Sequence, residues 1–204
     1  MPKYTLEILL DPSYVEEIVA AGQNIVISKQ VTPSGAPLAW LSFSPYQSNV
    51  VTWEDSYAVY TSQTLLQSGA TIAQLASRAA VPHTAYSFQK NVFNVAAPMN
   101  PSLGPESYEI INASGRTLTF GLAQQASLNG ADLGSNAVFA ATLLPGQWLD
   151  MTPFENLNVF LYQSSGNATC LGTVTGPSLA VSFGGGTTKQ TIRFDYRLGG
   201  FQAA

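Results

Sequence analysis

The sequence predicts an all-β protein, an antiparallel β-sandwich built of two related halves, with one short helix near residues 12–21. Three features indicate this fold. Apolar residues alternate with polar ones in short runs, turn-forming Gly, Pro and Asn residues separate these runs, and the second half of the chain resembles the first. Alternation with a period of two places one set of side chains on one face of a sheet.

The alternation is clearest near the C-terminus. Apolar residues alternate from Leu179 to Phe183 and again from Ile192 to Leu198. The link between the two runs, Gly184 to Lys189, begins with three glycines, which adopt positive φ without steric cost. This pattern predicts a β-hairpin.

Further runs rich in aromatic and β-branched residues predict strands elsewhere. These runs are 5–10, 24–31, 38–43, 50–61, 86–95, 108–112, 117–122, 137–144, 158–162 and 172–174. Residues Ser44 to Asn49 have the composition of a turn.

Two segments depart from the β pattern. In the first, Asp11 is placed to cap a helix, Pro12 suits its first turn and Gly22 suits its end. The second, Thr71 to Ala80, has apolar residues at helical spacing and predicts a second helix.

A weak internal repeat relates the halves 1–97 and 106–204. Gly22 to Ile27 resembles Gly115 to Phe120, and Trp53 aligns with Trp148. We therefore expect one compact unit, 1–204, with a Pro-rich linker at 98–105 and both tryptophans buried. Chance similarity between two β-rich halves is the alternative.

Low charge is the most unusual feature of the composition. Asp, Glu, Lys and Arg make up 10% of the chain, against ~25% in ordinary domains. The net charge of −4 is spread evenly, and no basic cluster is present to track phosphates, which excludes a nucleic-acid partner. A neutral-polar surface is typical of sugar recognition, self-association or contact with uncharged lipid headgroups.

The residues needed for common catalytic and metal sites are scarce. The chain has one cysteine, Cys170, and one histidine, His83, so neither a disulfide framework nor a zinc site is expected. We predict no catalytic residue, no metal and no cofactor. An enzymatic alternative requires acidic residues to meet in a cleft between the halves, and its candidates are Glu54, Asp55, Asp150 and Glu155.

Aromatic residues concentrate between positions 40 and 60. Most of them are expected in the core, but a platform for stacking sugar rings or anchoring in lipid is the functional interpretation. The candidate ligand-binding residues are Tyr46, Trp53, Tyr57 and Tyr60. Among them, Tyr46 and Tyr60 are expected to be exposed.

Taken together, these features predict a non-catalytic recognition protein whose target is neutral, either a carbohydrate or a membrane lipid surface, as for lectins and cytolysins. The first alternative is a self-associating structural or inclusion-type protein, which would be a homo-oligomer. The second is an enzyme with an acid-based site between the halves. With neither a signal peptide nor a transmembrane segment in the sequence, we expect a cytoplasmic protein or one exported by another route.

Overall fold

The computed structural model describes residues 2–97, 101–163 and 166–204. Strand accounts for 60% of the structure and helix for 5%, which confirms the predicted all-β class. The predicted linker, 98–105, begins with residues that lie outside the described part, and its described remainder forms turns. No helix of the described residues has the length and hydropathy of a membrane span.

The elements follow one another along the chain with short connections. In chain order they are β1 (Lys3–Leu9), α1 (Pro12–Ala20), β2 (Asn24–Thr32), β3 (Leu38–Ala39), β4 (Leu41–Phe43), β5 (Ser48–Glu54), β6 (Tyr57–Ser62), β7 (Gln74–Ala80), β8 (Thr84–Gln89), β9 (Val92–Ala97), β10 (Tyr108–Asn112), β11 (Leu118–Leu128), β12 (Ala131–Leu143), β13 (Trp148–Tyr162), β14 (Thr169–Cys170), β15 (Ser178–Ser182), β16 (Lys189–Asp195) and β17 (Gly200–Ala203).

Two large sheets contain most of these strands. Within the described residues, the first sheet has the order β17-β16-β1-β5-β11-β6-β7, with β12 also paired to β11. The second has the order β4-β2-β13-β10-β8-β9, with β15 also paired to β13. Apolar side chains from both sheets form one buried core. The sheets are mixed rather than purely antiparallel, because β1 pairs in parallel with β16 and β10 pairs in parallel with β8.

The two sheets share a pairing pattern. In each, one strand pairs in parallel with a strand of the other half and antiparallel with a later strand of its own half, which in turn pairs antiparallel with a second strand of the other half. The orders are β16-β1-β5-β11 in the first sheet and β8-β10-β13-β2 in the second. The strands β5 and β13 both follow a Pro-x-Gln turn, Pro45 to Gln47 and Pro145 to Gln147. The duplication itself stays a prediction.

The expected burial of both aligned tryptophans is wrong. Trp53 is 2% exposed, whereas Trp148 is 67% exposed. Trp148 begins β13 directly after its turn, while Trp53 lies near the end of β5. The two residues therefore occupy different positions along their strands, because the sequence alignment matched residue type rather than register.

The predicted C-terminal hairpin is also wrong. β15 pairs with β13 in the second sheet, whereas β16 pairs with β1 and β17 in the first. The glycine-rich segment 184–188 therefore crosses from one sheet to the other. Alternation predicted the strands correctly, but it carries no information about which strand each one pairs with.

The short helix is confirmed, with differences at its start. Pro12 occupies the first turn, and Gly22 follows the helix end with a φ of 66°. The side chain of Asp11 does not cap the helix; its backbone carbonyl accepts bonds from Tyr14 and Val15 instead.

The second predicted helix is wrong, because residues Gln74–Ala80 form β7 along β6. Leu75, one of the apolar residues at helical spacing in this segment, is 50% exposed. Pairing with a neighbouring strand has overridden the local helical spacing.

Gly121 lets β11 and β12 approach closely. A Cβ at this position would overlap the backbone carbonyl oxygen of Phe139 and stand 3.0 Å from Cε1 of Tyr60. We expect Gly121→Ala to lower the free energy of unfolding by about 1 to 3 kcal/mol, because the added methyl group overpacks the core. Urea denaturation measures this change. Gly176→Ala is the control, since a Cβ there would stand 4.0 Å from the carbonyl oxygen of Leu161. Equal stability of the two variants would contradict the prediction.

Candidate functional site

Of the four predicted ligand-binding residues, Tyr46 is exposed and the other three are buried. Tyr46 is 59% exposed in the turn before β5, as expected. Trp53 and Tyr57 are buried in the core. Tyr60 is also buried and donates a hydrogen bond of 2.9 Å to the carbonyl oxygen of Phe139, so its predicted exposure is wrong. The reason is the glycine at position 121, which leaves space for the Tyr60 ring.

A buried polar cluster centred on Lys29 occupies the region between the sheets. Lys29 lies on β2, and its side chain is fully buried. Its ammonium donates hydrogen bonds to both carboxylate oxygens of Glu155 at 2.8 Å, to Gln124 Oε1 at 2.7 Å and to the Tyr57 hydroxyl at 3.1 Å. The charge is thus paired and hydrogen-bonded, as burial requires.

Aromatic rings surround the same ammonium group. Lys29 Nζ lies 5.1 Å from the ring centre of Trp40, 5.6 Å from that of Trp53 and 5.3 Å from that of Tyr57. These distances are within the range of cation–π interaction. Much of the aromatic cluster that the sequence places between positions 40 and 60 therefore encloses an internal lysine.

Glu155 connects the charge to the aromatic residues. It lies in an irregularity of β13, where the register with β2 shifts between Pro153 and Leu157. Such a bulge redirects side chains. The Glu155 carboxylate accepts bonds from Trp53 Nε1 at 2.7 Å and from the Tyr57 hydroxyl at 2.6 Å.

Burial is the largest cause of the pKa shifts of Lys29, Tyr57 and Asp55. It lowers the pKa of Lys29 to about 8, although Glu155 opposes the shift. Burial and the charge of Glu155 together raise the pKa of Tyr57 well above its usual value. Burial, with the nearby charge of Glu155, also raises the pKa of Asp55.

The four acidic residues named for an enzymatic site have different surroundings. Asp55 and Glu155 are close enough to interact electrostatically. Glu54 lines a separate cleft of about 360 Å³ with Asp132 and Lys3. Asp150 lies across the strand pair from Glu109. Within the described ranges, no group of three His, Cys, Asp or Glu side chains is arranged to hold a metal ion.

An exposed aromatic cleft that the sequence did not single out lies beside α1. Tyr14 of α1 and Tyr196, in the turn after β16, stack with ring centres 5.4 Å apart and planes 5° from parallel. Tyr196 is 63% exposed. The adjoining cleft has a volume of about 330 Å³ and its lining includes Asp11, Arg193, Asp195, Arg197 and Gln202.

The turn that carries Tyr196 is fixed by Asp195. One carboxylate oxygen of Asp195 accepts bonds from the backbone N–H groups of Arg197 and Leu198, and the other accepts a bond from Gln202. Tyr14 also packs edge-on against Phe194, with ring centres 5.7 Å apart. The aromatic pair is therefore held in place before any ligand binds.

Tyr46 belongs to the same end of the first sheet. The backbone N–H of Leu10, directly before Asp11, donates a hydrogen bond to the carbonyl oxygen of Gln47. The turn of Tyr46 thus lies next to the start of the segment that supplies Asp11 and Tyr14.

The sequence prediction missed Tyr196 as a site residue, because alternation from Ile192 to Leu198 placed it on the apolar side of a strand. The Gly199-Gly200 pair that follows it is the signal in the sequence that indicates a turn.

Comparison of the chain with protein-family models, curated proteins and solved structures finds no match.

Removing one partner of the buried ion pair tests the Lys29 cluster. We expect Lys29→Met to lower the free energy of unfolding by about 3 to 5 kcal/mol, because it leaves the largely buried Glu155 carboxylate without its partner. Denaturant unfolding measures the loss. Lys189→Met is the matched control, since Lys189 forms an exposed pair with Glu7 at 3.8 Å and should contribute less than about 1 kcal/mol. Equal effects of the two changes would contradict this role.

The lowered pKa of Lys29 also predicts a pH dependence. The unfolded chain, with a lysine pKa of 10.5, binds more protons than the folded protein between about pH 8 and that value. Stability contributed through this group should therefore rise with pH above about 8. The free energy of unfolding is measured at several pH values for the wild type and for Lys29→Met, and the difference between the two proteins isolates the effect of Lys29. A difference that does not change between pH 8 and 10 would rule it out.

Proposed function

We propose that this protein is a non-catalytic recognition protein that binds a saccharide at the cleft beside Tyr196. The observation that carries the proposal is an exposed, pre-positioned tyrosine ring at the edge of a polar cleft. Sugar rings have apolar faces that stack on aromatic side chains and hydroxyl groups that hydrogen-bond at their edges. A tyrosine with an apolar face and a polar tip suits both contacts.

The polar lining of the cleft offers both kinds of hydrogen-bonding partner. Arg193 and Arg197 are exposed and supply donors, while the carboxylate of Asp11 supplies acceptors. Two arginines and the two acids Asp11 and Asp195 balance formally in charge. This balance favours a neutral ligand over a strongly charged one, as the low charge of the whole chain does.

Tyr46 extends the proposed site. Of the four residues predicted from the sequence, it is the exposed one, and its turn adjoins the segment leading to Asp11. In this proposal, Tyr46 contacts a second sugar unit. Trp53, Tyr57 and Tyr60 are buried in the core and make no contact with the saccharide.

The test begins with a glycan array that includes neutral and acidic saccharides, followed by calorimetric titration with the saccharide that binds. Tyr196→Ala should weaken binding by about tenfold or more, because stacking on an exposed ring removes apolar surface from water. Tyr46→Ala should have a smaller effect that appears with oligosaccharides and not with monosaccharides.

The control is Leu65→Ala, which removes a side chain that is 77% exposed elsewhere on the surface. It should leave binding unchanged, and free saccharide should compete with the immobilised ligand. An array without binding, or affinity that Tyr196→Ala does not reduce, would refute the proposal.

A further inference from the structure

The end of the second sheet where β13 begins carries a set of exposed apolar side chains. Trp148 is 67% exposed, Leu144 is 53% exposed and Val92 is 53% exposed. They lie in the turns 89–92 and 144–148, which together with the turn 112–116 and the flanking residues form a surface that we call the Trp148 end. None of these residues takes part in the saccharide cleft.

Hydrogen bonds join the three turns into one surface. The backbone of Asn112 exchanges bonds with the turn 144–148: its N–H donates to the carbonyl of Gln147, and its carbonyl accepts from the N–H of Gly146. Ala113 donates to the carbonyl of Phe88, directly before the first turn, and the Arg116 guanidinium donates to the Asn91 side chain at 3.2 Å.

The buried side chain of Asn112 fixes this arrangement. Its amide donates to the carbonyl oxygens of Arg116 at 2.8 Å and Leu143 at 3.0 Å, and its oxygen accepts from the backbone and hydroxyl of Ser114. The exposed apolar residues are therefore held on rigid turns, so binding would require little ordering of the chain.

The charge of the Trp148 end is opposite to that of the whole protein. Lys90 and Arg116 are exposed there, and the segments 88–92, 111–117 and 143–149 contain no Asp or Glu. The chain as a whole has a net charge of −4. Two of its eight Lys and Arg residues thus lie in the turns of the Trp148 end.

We propose that the Trp148 end docks on an anionic phospholipid surface, with Trp148, Leu144 and Val92 entering the interface and Lys90 and Arg116 contacting the headgroups. Tryptophan is favoured at membrane–water interfaces, and basic side chains are attracted to anionic lipids. The two cations favour an anionic surface over the neutral lipid predicted from the sequence.

Two acidic residues behind these turns limit how the Trp148 end can approach a membrane. Glu109 and Asp150 pair across β10 and β13, two residues behind Ile111 and Trp148, and burial together with Asp150 raises the pKa of Glu109. Their position disfavours docking by the flat face of the sheet. The turns therefore meet the membrane first.

The lipid site and the saccharide cleft are separate. Helix α1, which supplies Tyr14, leads into β2, and the first residue of β2, Asn24, pairs with Tyr162 at the end of β13. Trp148 lies at the opposite end of the same strand. The lipid proposal consequently does not depend on the saccharide proposal, and either can fail alone.

The fluorescence of the protein provides a direct readout. Trp40 and Trp53 are 0% and 2% exposed, so the third tryptophan, Trp148, accounts for the emission that responds to solvent. Phosphatidylserine-containing vesicles should shift this emission to the blue and reduce its quenching by acrylamide. Pure phosphatidylcholine vesicles should do so much less.

Sedimentation with the same vesicles tests the residues. Trp148→Ala and the double variant Lys90→Gln/Arg116→Gln should each reduce binding to phosphatidylserine-containing vesicles by about tenfold. Leu65→Ala and Lys189→Gln are the matched apolar and cationic controls, and Tyr196→Ala tests independence from the saccharide cleft; all three should bind as the wild type does. Thermal unfolding of each variant verifies its fold.

Three results would overturn the proposal. They are the absence of binding to phosphatidylserine-containing vesicles, equal binding to phosphatidylcholine vesicles, and binding that Trp148→Ala leaves unchanged.

Discussion

The buried ammonium of Lys29 sets a constraint that both sheets satisfy. A charged group removed from water needs partners for its charge and for its hydrogen bonds. The second sheet supplies Glu155, while Tyr57 and Gln124 come from the first. Because these partners come from strands far apart in the sequence, the cluster forms only when the two sheets meet in one relative position. The cluster therefore favours one arrangement of the two sheets over others.

This constraint explains the fate of the aromatic residues between positions 40 and 60. Trp40, Trp53 and Tyr57 enclose the Lys29 ammonium, and the latter two also donate hydrogen bonds to the Glu155 carboxylate. These rings are buried in the core, so they provide no exposed aromatic surface. Both proposed binding surfaces lie instead at turns at the ends of strands, where backbone geometry fixes exposed rings without requiring their burial.

The two proposed surfaces are ordered by the same kind of hydrogen bonding. A polar side chain, Asp195 beside Tyr196 and Asn112 near Trp148, bonds to backbone groups of the turns around it. Each arrangement holds an exposed aromatic ring in place. In such a site the ligand meets a preorganised surface and binding loses less conformational entropy.

The sequence determined the local structure of this protein: most strands follow from alternation, and α1 follows from Pro12 and Gly22, since both depend on neighbouring residues. The tertiary structure decided the rest. It separated β15 from β16, turned the expected helix after Thr71 into β7, buried Tyr60 against Gly121 and exposed Trp148. Which strands pair, and which side chains remain in water, depends on contacts between residues distant along the chain, such as Lys29 with Glu155, and alternation within a single strand does not specify them.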